Sequence, residues 1–240
     1  MFDAKRLLDQ FVGGQGQGEQ GQGARGGGDF LRGAGGGALA GGLAAILLGT
    51  KTGRKLGGEA LKLGGMAAVG ALAYKAYRDW QAGKQAAPAG SQQPPQQQAP
   101  VPMLPAPSGT PFNPSTPTEQ QALARHLLRA MIAAAKADGH VDAQEQARIF
   151  AEMDKLPLAA DDKAFVMDEL RAKLDIDAVA SAASTQEEAA EIYAASLLAI
   201  DVDNAAERGY LSMLAARLKL DDALVAHLQQ NVAQASAQPS

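Results

Sequence analysis

Glycine and proline are distributed so unevenly that only one part of this chain is suited to building a sizeable core. Of the 27 glycines, 22 lie in residues 1–70, and ten of the 12 prolines lie between Pro88 and Pro117. Glycine-rich chain loses much conformational entropy when it is ordered, and proline-rich chain lacks backbone amide donors. The roughly 120 residues from Thr118 onward remain for a soluble core, an ordinary size for one domain.

Charge divides the chain at the same place. Residues 1–117 carry a net charge of +5 and residues 118–240 carry −9, which together give the net charge of −4. An acidic body repels phosphate groups, so we expect no nucleic-acid partner, whereas the basic N-terminal part suits anionic lipid headgroups. The chain has no cysteine, which excludes disulfides, thiolate metal ligands and a cysteine nucleophile.

An uncharged run over residues 34–50 predicts a membrane span. As a helix its 17 residues would measure about 25 Å, slightly less than the ~30 Å hydrocarbon core of a bilayer. Lys51, Arg54 and Lys55 follow immediately, as is typical of a cytoplasmic flank. We therefore predict a membrane-anchoring region over 34–80 and a lipid bilayer as one partner.

Small residues recur at every fourth position of this region. In a bilayer such spacing lets the backbones of two helices approach closely, whereas in water repeated glycine disfavours a helix. The spacing predicts a homo-oligomer formed through Gly33, Gly37, Gly41, Ala45 and Gly49. The alternative is a flexible glycine-rich linker, against which the cluster of leucines in the same run argues.

The remaining N-terminal segments are predicted from composition. A second apolar segment, 63–77, is too short to cross a bilayer comfortably and ends in aromatic and basic residues. It either packs against the first segment as a short hairpin or takes a re-entrant or interfacial position, which we favour. Residues 1–33 are predicted to be a flexible tail that begins with a short amphipathic helix, which either binds a partner or membrane interface or is frayed. Residues 81–117 predict a disordered linker rich in proline and glutamine.

From Thr118 the apolar residues recur with a helical period, and no segment alternates as a strand does. Polar residues mark helix starts at Thr118 with Gln121, Asp142 with Glu145, Asp161, Thr185 with Glu188, and Asp221. Seven helices are predicted, so the fold class is an all-α bundle over 118–240, preceded by the glycine-rich membrane segment and the linker.

Two acidic turns are the strongest candidate site. The first, in AKADGHVDAQE, holds Asp138, Asp142 and Glu145, and the second, in AIDVDNAAE, holds Asp201, Asp203 and Glu207. Carboxylates at such spacing can converge on a hard divalent cation, Ca²⁺, Mg²⁺ or Mn²⁺. The alternative is helix capping alone. Neither turn has the spacing of an EF-hand, and no nucleophile elbow or phosphate loop is present, so we expect no enzyme.

The chain resembles the YebE-like family of bacterial inner-membrane proteins, whose C-terminal region is related to the tellurite-resistance protein TerB. The resemblance is carried by GALAGGLAAILLGTKTGRK, GGMAAVGALAYKAYRDW, the first acidic turn and EIYAASLLAIDVDNAAERGYLSMLAARLKL. It implies a seven-helix TerB-like bundle, an inner-membrane anchor, no established enzymatic activity, and a metal site formed by the acidic residues of both turns. The turns are not strict copies, because they differ in length by one residue.

These observations predict a membrane-tethered sensor or adaptor in the bacterial inner membrane, with its C-terminal domain in the cytoplasm. We expect that domain to bind a divalent cation, a protein partner or both, in envelope or metal stress. The alternative is a structural scaffold that self-associates through its glycine-spaced helix and binds no ligand. A metal-dependent hydrolase ranks third, because the turns have no accompanying base or nucleophile.

Overall fold

The computed structural model describes residues 3–13, 65–85, 105–137, 160–200, 202 and 205–237. Within these ranges the chain forms eight helices and no strand, which confirms the all-α prediction for this part. The helices are α1 (Ala4–Gly13), α2 (Gly65–Gln85), α3 (Pro117–Ala135), α4 (Ala160–Arg171), α5 (Ile176–Ala180), α6 (Gln186–Ala199), α7 (Ala205–Arg217) and α8 (Asp222–Ala237).

Side-chain caps determine where these helices begin. The predicted start of α6 is confirmed: Thr185 accepts the N–H of Glu188 at 3.2 Å, and the Glu188 carboxylate accepts the N–H of Ser184 at 2.6 Å. The predicted start of α3 at Thr118 is wrong by two residues, because Thr116 is the cap and accepts the N–H of Glu119 at 3.3 Å. Pro117 then opens the helix, where its missing N–H costs nothing.

Helix α6 is the centre of the body. Every residue from Ala189 to Ala199 is buried, and the helix contacts α2, α3, α5, α7 and α8. Six of these eleven residues are alanine or serine, whose small side chains let neighbouring helices approach from several sides. The hydroxyl of Ser196 donates to the carbonyl of Ile192 at 3.0 Å, so burying it leaves this donor satisfied.

The second apolar segment differs from its predicted interfacial position, because the structure buries it as α2 against α1, α6 and α8. Its buried side chains are mostly small, with a few large ones: Met66, Ala68, Val69, Ala71, Leu72, Ala73, Ala76 and Trp80. An apolar helix loses its contact with water equally well against protein and against lipid. The aromatic residues that suggested a headgroup region instead pack on Phe112, whose ring centroid lies 5.6 Å from those of both Tyr74 and Tyr77.

Two further parts of the N-terminal half join the same core. Helix α1 buries Ala4, Leu7 and Leu8 completely and contacts α2 and α3. The end of the predicted disordered linker, 105–116, forms turns in which Asn113 donates to the carbonyl of Ala106 at 3.0 Å. The helical body therefore extends beyond 118–240.

Several predictions fall on residues outside the described ranges. These are the proposed span at 34–50, the glycine-spaced positions and the helix expected after Asp142. Among the described helices, none combines the length and the apolar character needed to cross a bilayer.

Candidate functional site: an apolar cleft between three helices

The predicted metal ligands lie almost entirely outside the described residues. Asp138, Asp142, Glu145, Asp201 and Asp203 all fall in undescribed ranges, so the structure does not show whether they converge. Glu207 is described, half-buried in the first turn of α7. Within the described ranges no three His, Asp or Glu side chains are grouped closely enough to hold a metal ion. The metal site stays a prediction.

The structure instead shows a cleft bounded by α6, α7 and α8, with Val202 in its lining. Its volume is about 830 Å³, within the range of small-molecule and peptide pockets. Its apolar lining comes from all three helices and the flanking turns: Leu197, Ile200, Val202, Leu211, Ala215, Ala216, Leu220, Val225, Val232 and Ala233. The larger lining residues of α6, α7 and α8 are mostly buried, whereas Val202, 43% exposed, Ala216 and Ala233 face solvent.

The turn between α7 and α8 determines the shape of the cleft. Helix α7 ends in a Schellman motif. The N–H of Leu220 donates to the carbonyl of Ala215 at 3.1 Å, and the N–H of Lys219 donates to the carbonyl of Ala216 at 3.2 Å. Lys219 adopts a left-handed conformation, with φ of 54°. Leu220 is thereby placed in the lining, and Asp221 starts α8 by accepting the N–H of Ala223 at 2.9 Å.

A few polar groups interrupt the apolar lining. The side-chain amide of Gln229 on α8 donates to the Tyr193 hydroxyl on α6 at 3.1 Å, and burial raises the pKa of Tyr193. Arg208, Ser212 and Asp222 are exposed on the lining. Apolar walls with a small number of placed polar groups suit binding and orientation of a ligand.

A second unusual feature, which the sequence analysis did not predict, is the carboxyl group of Glu191. It is fully buried in α6, and neither of its oxygens has a hydrogen-bond partner within the described part of the chain. Burial, and to a smaller extent the charge of Glu188, raise the pKa of Glu191 well above its ordinary value. Burial therefore keeps this carboxyl group uncharged to a higher pH than an exposed glutamate.

Gly70 of α2 lies directly against this carboxyl group. A Cβ atom at position 70 would be 2.5 Å from the carbonyl oxygen of Phe112 and 3.2 Å from Oε1 of Glu191. Glycine thus permits the close approach of α2, the 105–116 segment and α6. One sequence signal pointed here: Glu191 is the single charge in the otherwise uncharged stretch Ala189–Ile200.

Residues 33–232 match the family described as "Protein of unknown function (DUF533)". A protein of Yersinia enterocolitica named "Uncharacterized protein in ampR 5'region" is 30% identical over 108 residues, which is 45% of this chain and 78% of the relative. No solved structure matches the chain.

Proposed function

The chain belongs to the DUF533 family of proteins of unknown function, and we propose that it is a non-enzymatic adaptor that binds a partner polypeptide in the cleft between α6, α7 and α8. The observation that carries the proposal is an open cleft whose apolar lining combines buried residues of α6, α7 and α8 with the exposed Val202, Ala216 and Ala233. Apolar surface of this kind on a folded protein marks a site of interaction.

The partner that fits best is a helical segment with an apolar face and basic flanks. The apolar face suits the lining contributed by α6, α7 and α8. The basic flanks suit the overall charge of this part of the chain, because residues 118–240 carry a net charge of −9. The apolar contacts would supply most of the affinity, and the charges would favour a basic partner over an acidic one.

The membrane tether belongs to the same proposal. Residues 34–50 would anchor the protein in the bacterial inner membrane, with the helical body in the cytoplasm, as the basic residues after the run suggest. On the resemblance described above, the body would be TerB-like, and the acidic turns would hold a divalent cation beside the cleft. The alternative remains a scaffold that associates through its glycine-spaced helix.

Filling the cleft tests the proposal in the purified full-length protein. Ala216 and Ala233 are exposed lining residues, so Ala216→Trp and Ala233→Trp should occupy the cleft without disturbing the core. We expect both to weaken binding of the neutral apolar dye N-phenyl-1-naphthylamine at least about tenfold. Ala226→Trp is the matched control, because Ala226 is exposed on α8 but outside the lining. Equal dye binding by all three variants would show that the cleft is not a binding site.

Photocrosslinking then tests the class of partner. A benzophenone amino acid at Val202, on the cleft rim, should form an adduct in cells, whereas one at Leu174 should not. The two positions are matched in exposure, at 43% and 38%, but Leu174 is not part of the lining. The crosslinked peptide, identified by mass spectrometry, should be apolar with lysine or arginine flanks. An acidic peptide, or an adduct that persists in Ala216→Trp, would contradict the proposal.

A further inference from the structure

Helix α1 is held in a groove whose two walls are α2 and α3. The apolar part of the contact is made by Ala4, Leu7 and Leu8, all fully buried. These positions, spaced three and four residues apart, form one face of a helix, and among the described side chains of α1 they supply the apolar contact. Arg6, between them, is exposed.

Polar contacts hold both ends of α1. At the start, the backbone N–H of Asp3 donates to the carboxylate of Asp162 at 2.8 Å. Gln121 of α3 makes two bonds there: its amide donates to the Asp3 carboxylate at 2.6 Å, and its carbonyl accepts the N–H of Lys5 at 3.1 Å. The Asp3 carboxylate also caps α1 itself, so the groove recognises the start of a helix rather than any apolar segment.

The other end of α1 contacts the start of α2. The carboxylate of Asp9 accepts the N–H of Met66 at 3.1 Å, so α1 supplies a cap to α2. It also accepts from the Lys5 side chain at 3.0 Å, which orients it. Two aspartates six residues apart, with a Leu7-Leu8 pair between them, therefore define what fits the groove.

The position of α1 in the chain is that of a tethered ligand. The walls of the groove lie within the region 33–232 matched by the family, whereas α1 lies outside that region. Residues 14–64 separate α1 from α2 along the chain. Because tethering makes docking intramolecular, a groove of only moderate affinity for the free helix is filled in the intact chain.

We propose that the groove between α2 and α3 is a docking site for a short amphipathic helix, and that α1 is its occupant, carried on the same chain and able to exchange. The proposal is independent of the cleft between α6, α7 and α8.

A nicked protein tests this proposal without requiring a truncated chain to fold. A protease recognition sequence replaces residues 17–22 of the full-length chain, which is purified folded and then cut. We expect the N-terminal fragment to exchange with a fluorescein-labelled peptide of residues 1–13, with a Kd of about 1–100 μM by fluorescence anisotropy. The uncut protein should bind the peptide at least about tenfold more weakly, because its own α1 competes.

Two peptide variants distinguish specific docking from non-specific apolar binding. Leu7→Gln places an amide at a fully buried position and should weaken binding at least about 30-fold. Arg6→Gln makes a similar change at the adjacent exposed position and should alter binding less than about threefold. Equal effects of the two variants would overturn the proposed recognition.

Three outcomes of the nicking experiment would overturn the proposal. Release of the fragment without rebinding of labelled peptide would show that the groove has no affinity for the helix. A fragment that never exchanges with excess peptide would show that α1 is a fixed part of the core. Loss of the helical circular dichroism signal on cutting would likewise show that α1 is a fixed part of the core.

Discussion

Replacing Glu191 by glutamine tests the consequence of burying a carboxyl group that has no hydrogen-bond partner among the described residues. The folded chain retains a proton on Glu191 that the unfolded chain releases above the ordinary glutamate pKa of 4.5. Unfolding therefore releases a proton in this range, and the free energy of unfolding falls as pH rises. The fall begins near the unfolded pKa and ends where pH passes the raised folded pKa. Glutamine has nearly the same shape and does not titrate, so Glu191→Gln should lack this contribution.

The expected magnitude follows from the linkage relation. Each pH unit over which the acid is protonated only in the folded chain lowers the free energy of unfolding by about 1.4 kcal/mol. This slope applies only between the ordinary pKa of 4.5 and the raised pKa of the folded chain, so the total loss depends on the width of that interval. A constant difference between the proteins, from the buried amide, does not affect this slope.

Urea unfolding of the full-length protein at pH 5, 6, 7 and 8, followed by circular dichroism, measures the effect. The free energy of unfolding of Glu191→Gln minus that of wild type should increase with pH over part of this range. Asp168→Asn, at an exposed position on α4, is the control and should show a nearly constant difference. A difference for Glu191→Gln that is independent of pH would refute the assigned burial and protonation.

Three further predictions concern other parts of the chain. Gly70→Ala should lower the free energy of unfolding by about 1–3 kcal/mol, because the new Cβ meets the carbonyl oxygen of Phe112. Gly83→Ala, on the same helix with no atom within 4 Å of the new Cβ, should raise the free energy of unfolding by up to about 1 kcal/mol. Equal urea midpoints for the two variants would contradict this prediction. Millimolar Ca²⁺, Mg²⁺ or Mn²⁺ should raise the Tm of the wild-type protein but not that of the double variant Asp138→Asn/Asp201→Asn. If the Tm of the wild type does not rise, the acidic turns act only as helix caps. Gly41→Leu should reduce cross-linking between copies while the protein stays carbonate-resistant in membranes, and unchanged cross-linking would argue against glycine-mediated packing.

The sequence determined the features that depend on neighbouring residues. The helical class of the part beyond Thr118, the capped start of α6 at Thr185 and the start of α8 after Asp221 were all predictable. Each depends on hydrogen bonds or side-chain spacing within one or two turns of chain. The misplaced start of α3 illustrates the same local physics, because Pro117 shifted the cap from Thr118 to Thr116.

Only the tertiary structure decided which surface covers each apolar face. The apolar pattern of α2 is compatible with lipid and with protein, and the structure packs it against α1, α6 and α8. The pattern of α1 was likewise compatible with a free or frayed helix. The hydrophobic effect is non-directional and depends on the area removed from water, so a pattern of apolar residues does not specify its partner.

The same reasoning applies to the two candidate sites. The cleft exists because α6, α7 and α8 leave a gap beside the Schellman turn at Lys219, and no local pattern encodes that gap. Gly70 and Glu191 are far apart in sequence and meet only when α2 packs on α6. The start and the period of a helix depend on contacts between near neighbours along the chain. Burial of the Glu191 carboxyl group and the shape of the cleft depend instead on the packing of segments that are distant in sequence.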